Sequence, residues 1–312
     1  MNVYIILRTA DGAYYTQSNV LSFSFSKDLY TPYTTLTAHI CTSSPKIPNI
    51  AEITLNVNGF PVHHGLIDSV KQEKKGNCRF ISISSRGFTS LLCQNQIEPG
   101  LKMNISFNML MEDFYTLPYV FHENDSDNSS YIYVKPNTSM WDAAANLTYK
   151  RRGTYPYIRG TNTVMMSPVT TPVTFDYSGE KFISTGIEHV NSRLGSDYHM
   201  ADINGDYGNF DLSDSDVSDL KIVRHKYFDL DMRFLYAPQQ ALVYRDKYDF
   251  RGRERVFCSY NGYHGEDLCD IVSFDSVSSE RVGSVTIRGS SKGIFTEVGV
   301  YRDKFPHISP NA

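Results

Sequence analysis

Leu21-Ser22-Phe23-Ser24-Phe25-Ser26 is the stretch whose reading decides the fold. Apolar and small polar side chains alternate along it, the two-residue period of a strand that lays one face on a core. The period recurs downstream: Leu36, Ala38 and Ile40 alternate with Thr35, Thr37 and His39, and Ile53, Leu55 and Val57 with Thr54, Asn56 and Asn58. Asn58-Gly59 supplies the positive-φ pair that a tight hairpin turn requires. A further strand, Phe80 to Ser84, runs into Arg86-Gly87-Phe88-Thr89-Ser90-Leu91-Leu92, where Phe88, Leu91 and Leu92 fall at i, i+3 and i+4 and predict one short closing helix. Evenly spaced strands with a single terminal helix predict a small antiparallel barrel or sandwich over residues 1–97, and closure would remove its exposed edges.

The bulk composition agrees with a strand-rich chain. At 312 residues there is length for two or three domains, each able to bury its own core. Twenty-two Tyr against one Trp, and 13% aromatic residues, suit half-buried pleated surfaces better than long amphipathic helices. Thirty basic against thirty-four acidic residues leave a net charge of −4, which offers no general attraction to DNA or an anionic membrane. The five cysteines (Cys41, Cys78, Cys93, Cys258, Cys269) form no CxxC pair and lie in apolar, strand-like contexts, so they read as buried structural thiols. The start, Met1 to Arg8, has no basic n-region and only a short apolar run, and nothing later reaches membrane-spanning length. Synthesis in the cytoplasm without a signal peptide is expected, and the Asn-x-Ser/Thr triplets at Asn104, Asn124, Asn128, Asn137 and Asn146 then meet no glycosylating enzyme.

From Glu98 the pattern changes, through a Met-rich stretch (Met103, Met109, Met111) and a polar loop, His122 to Ser130. Ser139 and Asp142 have capping-box spacing ahead of an Ala-rich helix on which Met140, Ala144 and Leu147 share a buried face. Gly153 to Pro168 reads as a hairpin. The region 98–188 is therefore expected to be a mixed α/β insertion. Residues 189–312 read as a second barrel-like unit: strands at Val256–Tyr260, Leu268–Phe274, Gly283–Arg288 and Ile294–Tyr301, plus a helix over 238–251 opened by Pro238 and ended by Gly252. Strand Ile183 to Val190 precedes them.

No residue set carries recognisable chemistry. His63 and His64 are neighbours on a strand and point to opposite faces, so one ion cannot take both, and the pair reads as a polar edge beside a hairpin. Asp202, Asn204 and Asp206 match three oxygen-ligand positions of a calcium loop, but Tyr207 stands where Gly makes the turn and Ser213 where the bidentate Glu belongs, so 202–211 reads as an Asx-rich turn. Neither a nucleophile elbow nor a Cys with an assignable His is present, and Glu112-Asp113 and Glu266-Asp267 read as surface acids. Trp141 reads as core. Arg151-Arg152 and Arg251-Gly252-Arg253-Glu254-Arg255 lack interleaved aromatics and read as exposed faces or subunit contacts. The expected catalytic, cofactor-binding and metal-binding sets are therefore all none, and the chain is expected not to be an enzyme.

Four stretches, in order, carry a resemblance. They are Gly65-Leu66-Ile67-Asp68-Ser69-Val70 with Ile81 to Leu92; Thr138-Ser139-Met140-Trp141-Asp142-Ala143-Ala144 continuing into Tyr155-Pro156-Tyr157-Ile158; Gln239-Gln240-Ala241-Leu242 with Gly262 and Gly265-Glu266-Asp267-Leu268; and the closing hairpin through Gly293. Together they resemble the central baseplate hub proteins of contractile phage tails and tail-like injection particles, the late-control-type hubs related to the base of type VI secretion spikes. The resemblance implies a mainly β (α+β) fold: two tail-tube-like antiparallel β-barrel domains with an α/β insertion between them. It implies a homotrimer whose duplicated barrels make a pseudo-six-fold ring, adapting a hexameric tube to a trimeric spike around a central channel. The implied partners are the tail tube protein, the spike protein, baseplate wedge proteins and, as a further candidate, the tape measure protein. No specific nucleic-acid binding and no membrane insertion go with it, and the implied location is the baseplate of a virion or tail-like particle, extracellular after lysis. Many relatives carry a lysozyme or peptidase domain or a fused spike, whereas this chain ends at Ala312 with neither, so such activities are expected to come from other proteins. The rival readings are a distal tail or receptor-binding β protein and, behind it, a cell-wall hydrolase.

Overall fold

In a computed structural model, which describes residues 2–43, 45–113 and 116–305, the chain is built mainly of antiparallel strands. The alternation read at residues 21–26 produces strand Val20–Asp28, with Phe23, Phe25 and Lys27 facing inward. Leu21, expected on the same face, is 42% exposed. The pairing with Thr35–Thr42 shifts register between Val20 and Ser22, and the extra residue turns Leu21 outward. Leu36, Ala38, Ile40, Ile53, Leu55 and Val57 are buried as their period predicts. Asn58 and Gly59 take φ of 52° and 88° between strands Ile50–Val57 and Phe60–Lys75.

A single large sheet crosses the molecule. From one edge its path is Ser184–His189, Glu254–Asn261, Gly293–Arg302, Val277–Ser290, Val20–Asp28, Thr35–Thr42, Cys78–Gly87, Phe60–Lys75, Ile50–Val57, Val3–Thr9 and Tyr14–Gln17. Ile271–Phe274 pairs with Val277–Ser290 off this path, and Thr174–Asp176 lies parallel to it. Among the described residues neither half closes into a barrel. The reason lies in Val20–Asp28: one flank takes Thr35–Thr42, and the flank that closure would need takes Val277–Ser290 instead. There Phe23 faces Gly289, where a methyl group would run into the Phe23 ring.

Between the large strands lie small elements. Helix Met140–Arg152 is capped by Ser139, whose Oγ accepts from the Asp142 backbone N–H at 3.0 Å, and ends at Gly153 with φ 69°. It is buried almost all round, Trp141 and Ala143 to Tyr149 included, a wider face than the predicted stripe. Tyr157–Arg159 and Thr163–Met165 form the predicted hairpin, with Phe121–His122 parallel beside it. Asp197–Met200, Phe210–Ser213 and His225–Phe228 make a separate small sheet. Helix Pro238–Phe250 opens on proline and packs against the first helix through Tyr244 on Tyr149, ring centroids 4.6 Å apart. One hydrophobic core runs through both halves of the large sheet and the helices, from Ile5 and Phe25 through Trp141 and Leu242 to Val298.

Candidate functional site

A dense polar joint forms where three parts of the chain meet. Lys27, 5% exposed on strand Val20–Asp28, donates to the Gly160 carbonyl at 2.7 Å and pairs with Asp267. Asp267 also accepts from the Gly160 backbone N–H at 2.7 Å. Arg159 donates to the Leu268 carbonyl at 2.5 Å and to Asp270 at 2.8 Å. Burial pulls the Lys27 ammonium below its ordinary value, opposed by Asp267. The hairpin tip at Arg159-Gly160 is thereby pinned to both halves of the sheet.

A second joint lies beside it. The Tyr301 hydroxyl donates to Asp28, the Tyr30 hydroxyl to Asp303, and Asp303 accepts from the Gly252 N–H at 3.1 Å. Burial pushes both carboxyls up, and the phenol donors hold them down in part. Around them Tyr30 packs on Tyr301, Tyr155 and Phe305 with ring centroids 5.6, 5.7 and 6.0 Å apart. Donors and acceptors satisfy one another here, an arrangement that fixes geometry.

The residues singled out in the sequence fall as follows. His63 is fully buried between Thr34 and Ser85, 2.8 Å from each hydroxyl, and burial pulls it down to about 3, so it packs as a neutral ring in the sheet interior instead of forming a polar edge. His64 does point the other way, to Glu52 at 3.2 Å. Asp202 spends its carboxylate on its own turn, accepting from the N–H groups of Asn204 at 2.8 Å and Asp206 at 3.1 Å and from Asn209 at 2.7 Å. Among the described residues no group of three or more His, Cys, Asp or Glu is placed to hold a metal ion. Glu266 is 2% exposed, contrary to its reading as a surface acid, and accepts from Tyr177 and Tyr260.

Trp141 is core, its indole N–H donating to Tyr155 at 3.2 Å. The arginine clusters are engaged within the chain: Arg151 and Arg152 with Asp125 at 2.9 and 2.7 Å, Arg255 with Glu297 at 2.6 Å, and Arg251 over the Tyr248 ring. Of the cysteines, Cys258 and Cys269 are buried as expected, but Cys41 is half-buried and Cys78 and Cys93 are exposed, because they sit at strand and helix ends where the period no longer decides burial. No helix among the described residues is long and apolar enough to cross a membrane.

No family model matches the sequence, and neither does any curated protein. Solved structures do match, along the whole chain. A 43 kDa tail protein of prophage MuSo2 from Shewanella oneidensis superposes with a TM-score of 0.71 at 13% identity, over 96% of this chain and 98% of that one. A tail protein from Neisseria meningitidis MC58 gives 0.69 at 14% identity, over 99% and 98%. A type VI secretion system component of E. coli, described as structurally similar to the T4 bacteriophage tail proteins gp27 and gp5, gives 0.54 at 9% identity, over 93% and 75%. The fold of this chain is thus the one found in phage tail proteins and in a type VI secretion component, as the resemblance in its sequence implied.

Proposed function

We propose that the chain is a structural, non-enzymatic hub at the baseplate of a contractile tail, three copies forming a ring between a hexameric tube and a trimeric spike. The observation that carries this reading is that the strands Val20–Asp28 and Val277–Ser290, paired with each other, are each flanked by the next strand of the chain and then by one more antiparallel strand. On one side follow Thr35–Thr42 and Cys78–Gly87; on the other follow Gly293–Arg302 and Glu254–Asn261, all antiparallel. Two like β modules per chain let three copies present six to a hexameric tube, so the symmetry mismatch is absorbed inside the polypeptide. On this reading residues 1–97 and 189–312 are the ring-forming modules and 98–188 the insertion. Among the described residues the large sheet ends at the edge strands Tyr14–Gln17 and Ser184–His189 with no further strand paired to them, which supports continuation from copy to copy, since unpaired edges are templates for further strands. The likeness to a component compared with gp27 and gp5 favours a spike-type partner, and the net charge of −4 suits a channel that passes cargo without adhesion.

The test is the copy number and position of the chain in particle images, with the mass of the complex with spike protein measured by light scattering. Three copies on the tail axis are expected. Six copies, or a peripheral position with glycan binding by the isolated chain, would replace the hub by a tail-tip binding protein.

A further inference from the structure

A cavity of about 530 Å³ opens between helix Met140–Arg152, helix Pro238–Phe250 and strand Ser129–Val134, a volume within the range of small ligand sites. Its walls include Tyr131, Tyr149 and Phe234, and its charged lining is Lys150, Arg233 and Lys247, with no Asp or Glu. Arg233 is already committed to Asp231 at 2.6 Å. The two lysines are not. Among the described ion pairs neither appears; Lys150 donates to the Tyr131 carbonyl at 3.1 Å and lies 3.5 Å from that ring's centroid, and Lys247 lies 5.7 Å from the centroid of Tyr149. In a chain with an excess of acidic residues, two half-buried ammonium groups that face aromatic rings, with Asp231 and Asp246 near them but in no ion pair with them among the described residues, are a costly arrangement. Burial pulls Lys150 down to about 8 and lowers Lys247, which records that cost.

A second cavity, of about 280 Å³, shares Arg233 in its wall and contains Asn146, one helical turn before Lys150. Asn146 is 3% exposed, and both its amide oxygen and its amide nitrogen lack a protein partner. A buried primary amide with a free donor and a free acceptor matches a peptide group, which offers one of each.

We propose that these two cavities form one binding groove for an acidic peptide segment of a partner protein, its carboxylate held by Lys150 and Lys247 and its backbone by Asn146. The charged lining around the two lysines is cationic, with no Asp or Glu, which fits a carboxylate; Asp142 lies in the second cavity, where the peptide backbone runs. An aromatic or aliphatic neighbour of the acid fills the space between the tyrosines and Phe234. This inference does not depend on the hub reading, since any assembly role could use it.

The test uses the full chain with 13C-methylated lysines, titrated with N-acetyl-Phe-Glu-amide, its uncharged isostere N-acetyl-Phe-Gln-amide, and phenylacetate. The Glu peptide is expected to shift the Lys150 and Lys247 signals and to bind at least about tenfold more tightly than the Gln peptide, the scale of one charge-assisted contact. The double variant K150Q/K247Q should erase that difference while melting no lower than the native chain, because it removes unpaired buried charge. N146A should weaken the peptide and leave phenylacetate unchanged. Binding should also fade as pH rises through about 8, where Lys150 loses its proton. The charged groups facing Lys150 are Asp231 and Arg233 from the short helical turn Met232–Phe234 and its cap, with the Tyr131 ring from the strand; Asp246 acts on Lys247 from its own helix. Equal binding of the two peptides, survival of the difference in the double variant, or no binding of any probe overturns the proposal. An N146A variant that loses phenylacetate as readily as peptide overturns the peptide assignment in favour of a free carboxylate.

Discussion

The long strands between Val3 and Gly87 and the short elements between Phe121 and Phe234 are held by different forces. In the first region strands run up to 16 residues, and their alternate side chains, Ile5, Leu7, Ile53, Leu55 and Ile81 among them, are fully excluded from water. In the second, strands of two to six residues are tied by charged groups: Asp125 by Arg151 and Arg152, Asp231 by Arg233 and Arg245, Asp202 by its own turn. Apolar burial is non-directional and sums over a surface, so the long sheet is a cooperative unit. Each ionic tie is local and individually modest. The comparison teaches that damage to the sheet spreads while damage to the short elements stays where it is made.

The largest expected effect is in the sheet. A methyl group at Gly65 would run into the Arg86 carbonyl across the ladder, which backbone alone must relieve. Gly65→Ala is therefore expected to cost about 3 kcal/mol, read as a lower urea midpoint by both fluorescence and circular dichroism. Transitions that separate between the two probes would show that the sheet is not one unit.

Next comes the joint between the halves. Lys27→Met leaves Asp267 without its buried partner and should cost about 3 kcal/mol, whereas Lys27→Met with Asp267→Leu should recover most of it. A double variant as unstable as the single one would break the idea that the loss comes from the orphaned charge.

Asp231 tests the region of short elements. Burial pushes its carboxyl up, but Arg233 and Lys135 outweigh that and hold it well below the usual range. Its contribution is thus present above the ordinary carboxylate value of about 3.9 and is lost as pH falls below it. Asp231→Asn is expected to cost about 1–2 kcal/mol at neutral pH, confined by amide exchange to the neighbourhood of residues 231–245, and to flatten the acid limb of the stability curve. Faster exchange in Val3–Gly87 as well would erase the contrast between the regions.

The smallest effect belongs to the exposed turn. Asp202→Ala should change stability by under about 0.5 kcal/mol, and millimolar calcium should leave the melting temperature of the native chain unchanged. A calcium-dependent rise would reinstate the cation loop that its first three oxygen positions resemble.

The sequence was informative where a local rule is sufficient. Period-two alternation located the long strands, Asn58-Gly59 their turn, Ser139 the start of one helix, and Pro238 the start of the other. It was silent where partners are distant. Lys27 looks like a strand-end surface residue until Asp267, 240 positions away, is seen beside it. Glu266 was misread for the same reason, its phenol partner Tyr177 lying 89 positions earlier. The lysine groove escaped notice because its two cations sit on helices from different parts of the chain, and a lone Lys at a helix end ordinarily marks only a solvated turn. The one available clue was Asn146 and Lys150 following each other by a turn on a helix rich in Ala.

By itself the sequence determined that strands dominate, which faces they bury and where the helices begin, because backbone periodicity and capping act between near neighbours. Only the tertiary structure decided that the halves share one open sheet and that buried charges are matched across it. Those outcomes depend on which strand edge meets which, and edge pairing is settled by the packed core as a whole, which no local pattern of residues encodes.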